Sequence, residues 1–260
     1  MIHYCKVALG PVLALQSLFV SRTALRLPEA SGRRMGKVGR LKFSKPLRVL
    51  FVGDSSAAGV GVTRLRESLV VQSCRLISQR IKAPVSWQLV AKSGFNTGQA
   101  FDLVRSSPLQ PADVLVTSLG VNDVTDQRTL GQFLEDYQSL VEYVIRWTGV
   151  KTVVINGMPP VHTMPVMPQP LRWYLGRYAQ NFDAALRAWA DANENFCYVP
   201  LQIAVKPSEF AIDRYHPGAA LYRRWAECIA ESASAHLLMT KRPRKLIHLP
   251  PIRGTQLVPI

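Results

Sequence analysis

The stretch that decides the fold reads Leu47-Arg48-Val49-Leu50-Phe51-Val52-Gly53-Asp54-Ser55-Ser56-Ala57-Ala58-Gly59-Val60. Its first part, rich in Val and Leu, has the length and branching of a buried strand, and Gly53 breaks it into small polar residues before helix-like spacing resumes. A strand of this kind delivers a loop residue to a surface cleft. Ser55 stands on the break and is the candidate nucleophile.

Working outward from it, strand-like and helix-like segments alternate. Leu65 to Ile81 has helical spacing, Val85 to Ala91 reads as a second strand, and Thr97 is placed to cap a helix running to about Arg105. A third strand is expected over Asp113 to Leu119. An amphipathic helix over Thr129 to Thr148 is stopped by Gly149, and a fourth strand, Lys151 to Asn156, leads into a loop dense in Met and Pro. Leu171 to Asn193 reads as a helix, Phe196 to Ile203 as a fifth strand, and a last helix runs from about Pro217 to Leu238. Strands separated by helices imply βαβ units, so the expected fold is α/β with a central five-stranded parallel sheet and helices on both faces. In open sheets of this kind ligands bind outside the carboxyl ends of the strands.

The chain has 260 residues and a net charge of +15, but the excess lies at its ends. Residues 1–48 hold ten Lys or Arg against one acid, Glu29; residues 240–260 add five basic residues and no acid; the stretch between is nearly neutral, with 17 basic against 16 acidic residues. A nucleic-acid binder carries its basic stripe on the folded domain, so nucleic acid is not an expected partner. Basic ends around a neutral core suit peripheral contact with an anionic membrane better. The expected division is a basic leader with a short apolar segment and a linker over 1–46, a catalytic domain over 47–239 and a basic, Pro-containing tail over 240–260. Within the leader, Gly10 and Pro11 interrupt the apolar run Val7 to Val20, which falls short of a membrane span. No Ala-x-Ala cleavage site follows it, so a cytoplasmic chain is expected, membrane-associated through this segment. The four cysteines form no Cys-x-x-Cys pair and no cluster with His, so neither a metal nor an oxidising compartment is called for.

The polar residues that follow the strands fill the roles of acyl transfer: a nucleophile, a base, a group that orients the base, and donors for an oxyanion. Ser55 would attack, His216 would act as general base and then acid, and Asp213, three residues earlier, would orient the imidazole. The backbone N–H groups of Ser55 and Gly94 and the side-chain amide of Asn122 are candidate oxyanion donors. Asp54 and Asp123 are expected to fix their own turns by local hydrogen bonds. Competing motifs fail: no Lys-Ser/Thr follows Gly59 as a phosphate loop would require, and Ala57 stands where a Gly-x-Ser-x-Gly elbow needs its second Gly.

Gly53-Asp54-Ser55-Ser56, Gly94, Gly120-Val121-Asn122-Asp123 and Asp213-Arg214-Tyr215-His216 resemble, in order, the four sequence blocks of the SGNH hydrolase superfamily, the GDSL-type esterases and lipases. The resemblance covers about Leu47 to Leu238 and departs from the pattern at Ser56, where the family's name expects Leu. It implies a flavodoxin-like three-layer α/β/α sandwich, no cofactor or metal, and hydrolysis of small-molecule or lipid esters through an acyl-enzyme on Ser55. The same triad would serve an acyltransferase or a carbohydrate deacetylase. A non-catalytic, membrane-associated binding module is the alternative outside enzymes.

The Met-Pro loop after the fourth strand should border the cleft, and Met158, Val161 and Met164 are candidate substrate contacts. His162 in the same loop lacks a neighbouring acid to orient it and is a poor rival base.

Overall fold

The computed structural model describes residues 2–39, 45–201 and 203–239, with the side chains of residues 2–8 left aside. The expected basic tail and residues 40–44 of the expected linker lie outside the described residues.

The parallel strands are Leu47–Gly53 (β2), Val85–Ala91 (β3), Val114–Ser118 (β4), Thr152–Asn156 (β5) and Phe196–Val199 (β6), hydrogen-bonded in the order β3-β2-β4-β5-β6. Every residue of β4 and β5 is buried, as parallel strands covered on both faces require. A sixth strand corrects the expectation of five: Met35–Val38 (β1) pairs antiparallel with β3 at the sheet edge, inside the segment whose Gly and basic residues suggest a linker. It is short, half-exposed and carries Lys37, the composition that keeps an edge strand from pairing with other chains. Gly36 is required there, because a Cβ would lie 2.7 Å from the Trp87 ring.

The helices are Ile2–Thr23 (α1), Leu69–Ile81 (α2), Thr97–Ser106 (α3), Val121–Thr125 (α4), Leu130–Thr148 (α5), Leu171–Asp191 (α6) and Ala219–Met239 (α7). One face of the sheet packs Val49, Phe51, Val114 and Val116 against Leu69, Cys74 and Ile77 of α2 and Tyr222, Trp225 and Ile229 of α7. The other packs Leu50, Val52, Leu115 and Val153 against Val104 of α3, Phe133, Tyr137 and Val141 of α5, and Phe182 and Leu186 of α6. These layers form the three-layer α/β/α sandwich. Helix starts are set by side chains: Asn96, rather than Thr97, caps α3 in a capping box with Gln99, and Thr129 does the same for α5 with Gln132. Gly149, with φ of 75°, closes α5.

Gly10 and Pro11 lie inside α1 instead of ending it. No described helix is long and apolar enough to cross a membrane. The segment after α1 is tied to the domain by backbone bonds, with Ala30 N donating to Ala58 O at 3.1 Å and Leu65 N to Ser31 O at 2.8 Å.

Candidate active site

The strand order reverses direction between β2 and β4, the crevice where open α/β sheets bind ligands. Ser55 follows β2 on one side of it, and Gly120 and α4 follow β4 on the other. The Ser55 turn is shaped by the buried Asp54, whose carboxylate accepts from Ser56 N at 3.0 Å and Ser56 Oγ at 2.8 Å. Burial raises the Asp54 carboxyl above its ordinary range, although the bonds from Ser56 oppose this.

The segment from Glu209 to Gly218 folds as a tight hairpin. Phe210 and Pro217 bridge antiparallel, Ala211 N donates to His216 O at 2.8 Å, and Gly218 N donates to Glu209 O at 2.8 Å. At its tip Arg214 takes the left-handed conformation, with φ of 58°. Asp213 Oδ1 accepts the backbone N–H groups of Tyr215 and His216, both at 3.0 Å, and Oδ2 lies 2.5 Å from His216 Nδ1. The three-residue spacing thus becomes a carboxylate–imidazole pair because the Asp side chain first closes its own turn. Burial alone would raise the Asp213 carboxyl; the hydrogen bonds from the His216 ring and the two backbone N–H groups outweigh it and hold it below the ordinary carboxylate range. Tyr215 packs edge-on to the His216 ring, centroids 4.8 Å apart.

Two contacts lock the Ser55 turn in place, one to α7 and one to this hairpin. Tyr222 Oη donates to Val60 O at 2.7 Å, and Gly61 passes so close that a Cβ there would lie 2.3 Å from Pro217 O. Ser55 and His216 accordingly line the same narrow, apolar cavity, together with Met164, Leu201, Phe210 and Trp225.

The loop carrying Gly94, with φ of 82°, is held against α4. Asn122 Nδ2 donates to Phe95 O at 2.9 Å, which fixes the orientation of the amide and uses one of its two N–H groups. Asp123 does more than fix its own turn, where its carboxylate accepts its own backbone N–H. It reaches across to Thr97, accepting from the backbone N–H at 3.0 Å and from Oγ1 at 2.8 Å. Its burial raises the carboxyl to about 6, against those bonds and the charge of Arg128, whose Nε stands 3.8 Å from Oδ1.

The Met-Pro loop divides its side chains. Met158, Val161 and Met164 are all buried in the core, and of the three Met164 alone also lines the Ser55 cavity; the Met158 methyl packs on Gly120, where a Cβ would come within 2.0 Å of it. Val166 and Met167 instead line a second, larger groove that reaches Gly94, Asp213 and His216 from the α1 side. His162 is exposed and borders neither cavity. Sequence reasoning missed Leu201, Phe210 and Trp225, which reach the site from the segment after β6, the hairpin and α7 and have no local motif, and it gave no role to Tyr215, which lies within the Asp213–His216 block. Among the described residues no group of His, Cys, Asp or Glu is placed to hold a metal ion.

The model of the GDSL-like lipase/acylhydrolase family matches residues 51–224. The chain belongs to that family. Solved structures share the fold at low identity: the lipase Lip_vut3 from a goat rumen metagenome, 18% identical, covers 73% of this chain and 97% of its own, with a TM-score of 0.58. A family 3 carbohydrate esterase from Clostridium thermocellum is 17% identical, with 75% and 98% covered and a TM-score of 0.54. The psychrotrophic esterase EstA from Pseudoalteromonas, in a structure inhibited by monoethylphosphonate, is 17% identical, with 74% and 98% covered and a TM-score of 0.53. A search of curated protein sequences found no match. Family and fold together support an ester hydrolase.

Proposed function

We propose that this chain is a serine hydrolase that cleaves carboxylic esters through an acyl-enzyme on Ser55. The observation that carries the reading is the 2.5 Å approach of His216 Nδ1 to Asp213 Oδ2, with His216 and Ser55 on the walls of one cavity. Ser55 Oγ attacks the ester carbonyl as its proton passes to His216 Nε2. Asp213, kept ionised by its hydrogen bonds, holds the ring and stabilises the imidazolium. The N–H groups of Ser55 and Gly94 and the second N–H of Asn122 Nδ2 receive the oxyanion. Collapse expels the alcohol, which takes the proton back from Nε2. A water then loses a proton to Nε2, attacks the acyl carbon and frees the acid and Ser55.

Labelling with a fluorophosphonate tests this. Ser55 should be modified in the wild type, not in Ser55→Ala, and only slowly in His216→Ala. Folded wild-type protein that resists labelling would overturn the reading.

The outer face of α1 supports peripheral contact with an anionic lipid surface. Leu15 and Phe19 are 68% and 64% exposed, Val12 and Leu18 accompany them, and the exposed Arg22 and Arg26 follow. Cosedimentation with phosphatidylglycerol vesicles should weaken in Leu15→Glu/Phe19→Glu. Equal partitioning of the two proteins would remove this part of the proposal.

A further inference from the structure

The larger groove has a volume of about 730 Å³, against about 50 Å³ for the cavity beside Ser55. The smaller space holds a few waters' volume, so an extended aliphatic chain has room in the larger one alone. One wall of the groove is α1, with Leu13, Ala14 and Ser17 facing it; the opposite wall includes Met167, Leu171 and Leu175. It opens at Gly94 and His216, so it is continuous with the candidate site.

The roof is fastened. Gln16 Nε2 donates to Gln169 O at 2.7 Å and Gln16 Oε1 accepts Leu171 N at 3.0 Å, so a single amide bridges α1 to the start of α6. The helix therefore has a set position over the groove. A mostly apolar channel that begins beside a candidate oxyanion donor suits the part of an ester that stays attached to the carbonyl carbon.

We infer that the groove beneath α1 holds the acyl chain of the substrate, making medium- to long-chain fatty acyl esters the substrate class. The inference rests on the serine hydrolase reading for its chemistry. Apolar burial increases with each methylene that enters the groove, so preference should rise with chain length until the groove is full.

Its test compares p-nitrophenyl acetate with p-nitrophenyl decanoate on the full chain, as wild type, Ala14→Trp and Ser17→Trp. Both variants place an indole in the groove from the roof. The decanoate-to-acetate ratio of kcat/KM should fall about tenfold or more in each variant that folds. A ratio that stays closer to the wild-type value overturns the inference. A second measurement does not depend on turnover: a fluorescent sixteen-carbon fatty acid should bind folded Ser55→Ala protein and bind more weakly once Ala14→Trp or Ser17→Trp is added. Absence of binding to Ser55→Ala protein, or equal binding with and without the indole, also counts against the groove. Fatty-acid binding without acetate hydrolysis or fluorophosphonate labelling in the wild type would instead remove the hydrolase reading and leave the groove standing.

Discussion

Glu29 Oε1 accepts the backbone N–H of Ser93 at 2.8 Å, one residue before Gly94. Glu29 is the one acid among the first 48 residues, and it also pairs with Arg34 and stands 3.9 Å from Lys92. The basic leader thus positions the loop that offers a candidate oxyanion donor.

Glu29→Ala should lower kcat on a short p-nitrophenyl ester by about tenfold with KM little changed, because small misplacements of catalytic groups cost rate steeply. Glu29→Gln keeps an acceptor and should recover most of the loss. Steady-state kinetics of the two variants checks this. A rise in KM at unchanged kcat would place Glu29 in substrate binding instead.

Asp213→Asn keeps the shape of the turn but not the charge that holds His216. By analogy with other Ser-His-Asp sites, kcat should fall by roughly 10³–10⁴-fold. The same substitution has a signature in stability. The folded carboxyl is held below its ordinary range, so its stabilisation is present above the unfolded value and lost as pH falls through the lower folded one. Acid titration of wild type should therefore show a loss of stability below about pH 4 that Asp213→Asn lacks in part.

The five parallel strands and the residues after them were legible because each strand is a short, β-branched or apolar run ending in Gly or a polar turn. The strand Met35-Gly-Lys-Val was not, since four residues with Gly and Lys at a half-exposed edge owe their conformation to the partner strand. Asp213 and His216 could be paired from their spacing. The clamp from Asp123 to Thr97 could not, because the residues are 26 apart and nothing in either block announces the other. The α1 groove was illegible for a similar reason. Gly10 and Pro11 read as interruptions, and Gln16 meets Leu171 across 155 residues. Met158, Val161 and Met164 are all buried in the core, and that Met164 alone of the three also reaches the Ser55 cavity is a distinction that belongs to the loop's path.

Asp123 should make stability fall as pH rises. Its folded carboxyl is raised to about 6 from an ordinary 3.8, so the folded chain holds the proton more tightly than the unfolded one. The stabilisation is complete below the unfolded value and is lost as pH climbs through 6, a difference on the order of 3 kcal/mol at most. Asp123→Asn keeps an acceptor for Thr97 and removes the titration. Urea denaturation at pH 5 and pH 7.5 should show a smaller decline in the variant; an equal decline in both proteins would refute the assignment.

Gly61 and Gly149 separate backbone strain from steric contact. Both are left-handed, with φ of 102° and 75°, but a Cβ at Gly149 meets open space while one at Gly61 would lie 2.3 Å from Pro217 O. Gly149→Ala should cost only the conformational penalty, about 1 kcal/mol, and leave ester hydrolysis intact. Gly61→Ala adds a clash with backbone that cannot rotate away, and should cost roughly 2–4 kcal/mol. Relief of that clash must part the Ser55 turn from the His216 hairpin, so kcat should fall as well. Thermal denaturation with kinetics on both variants provides the check. If Gly61→Ala lost no more activity than Gly149→Ala, the close approach of Gly61 to Pro217 would not be what aligns nucleophile and base.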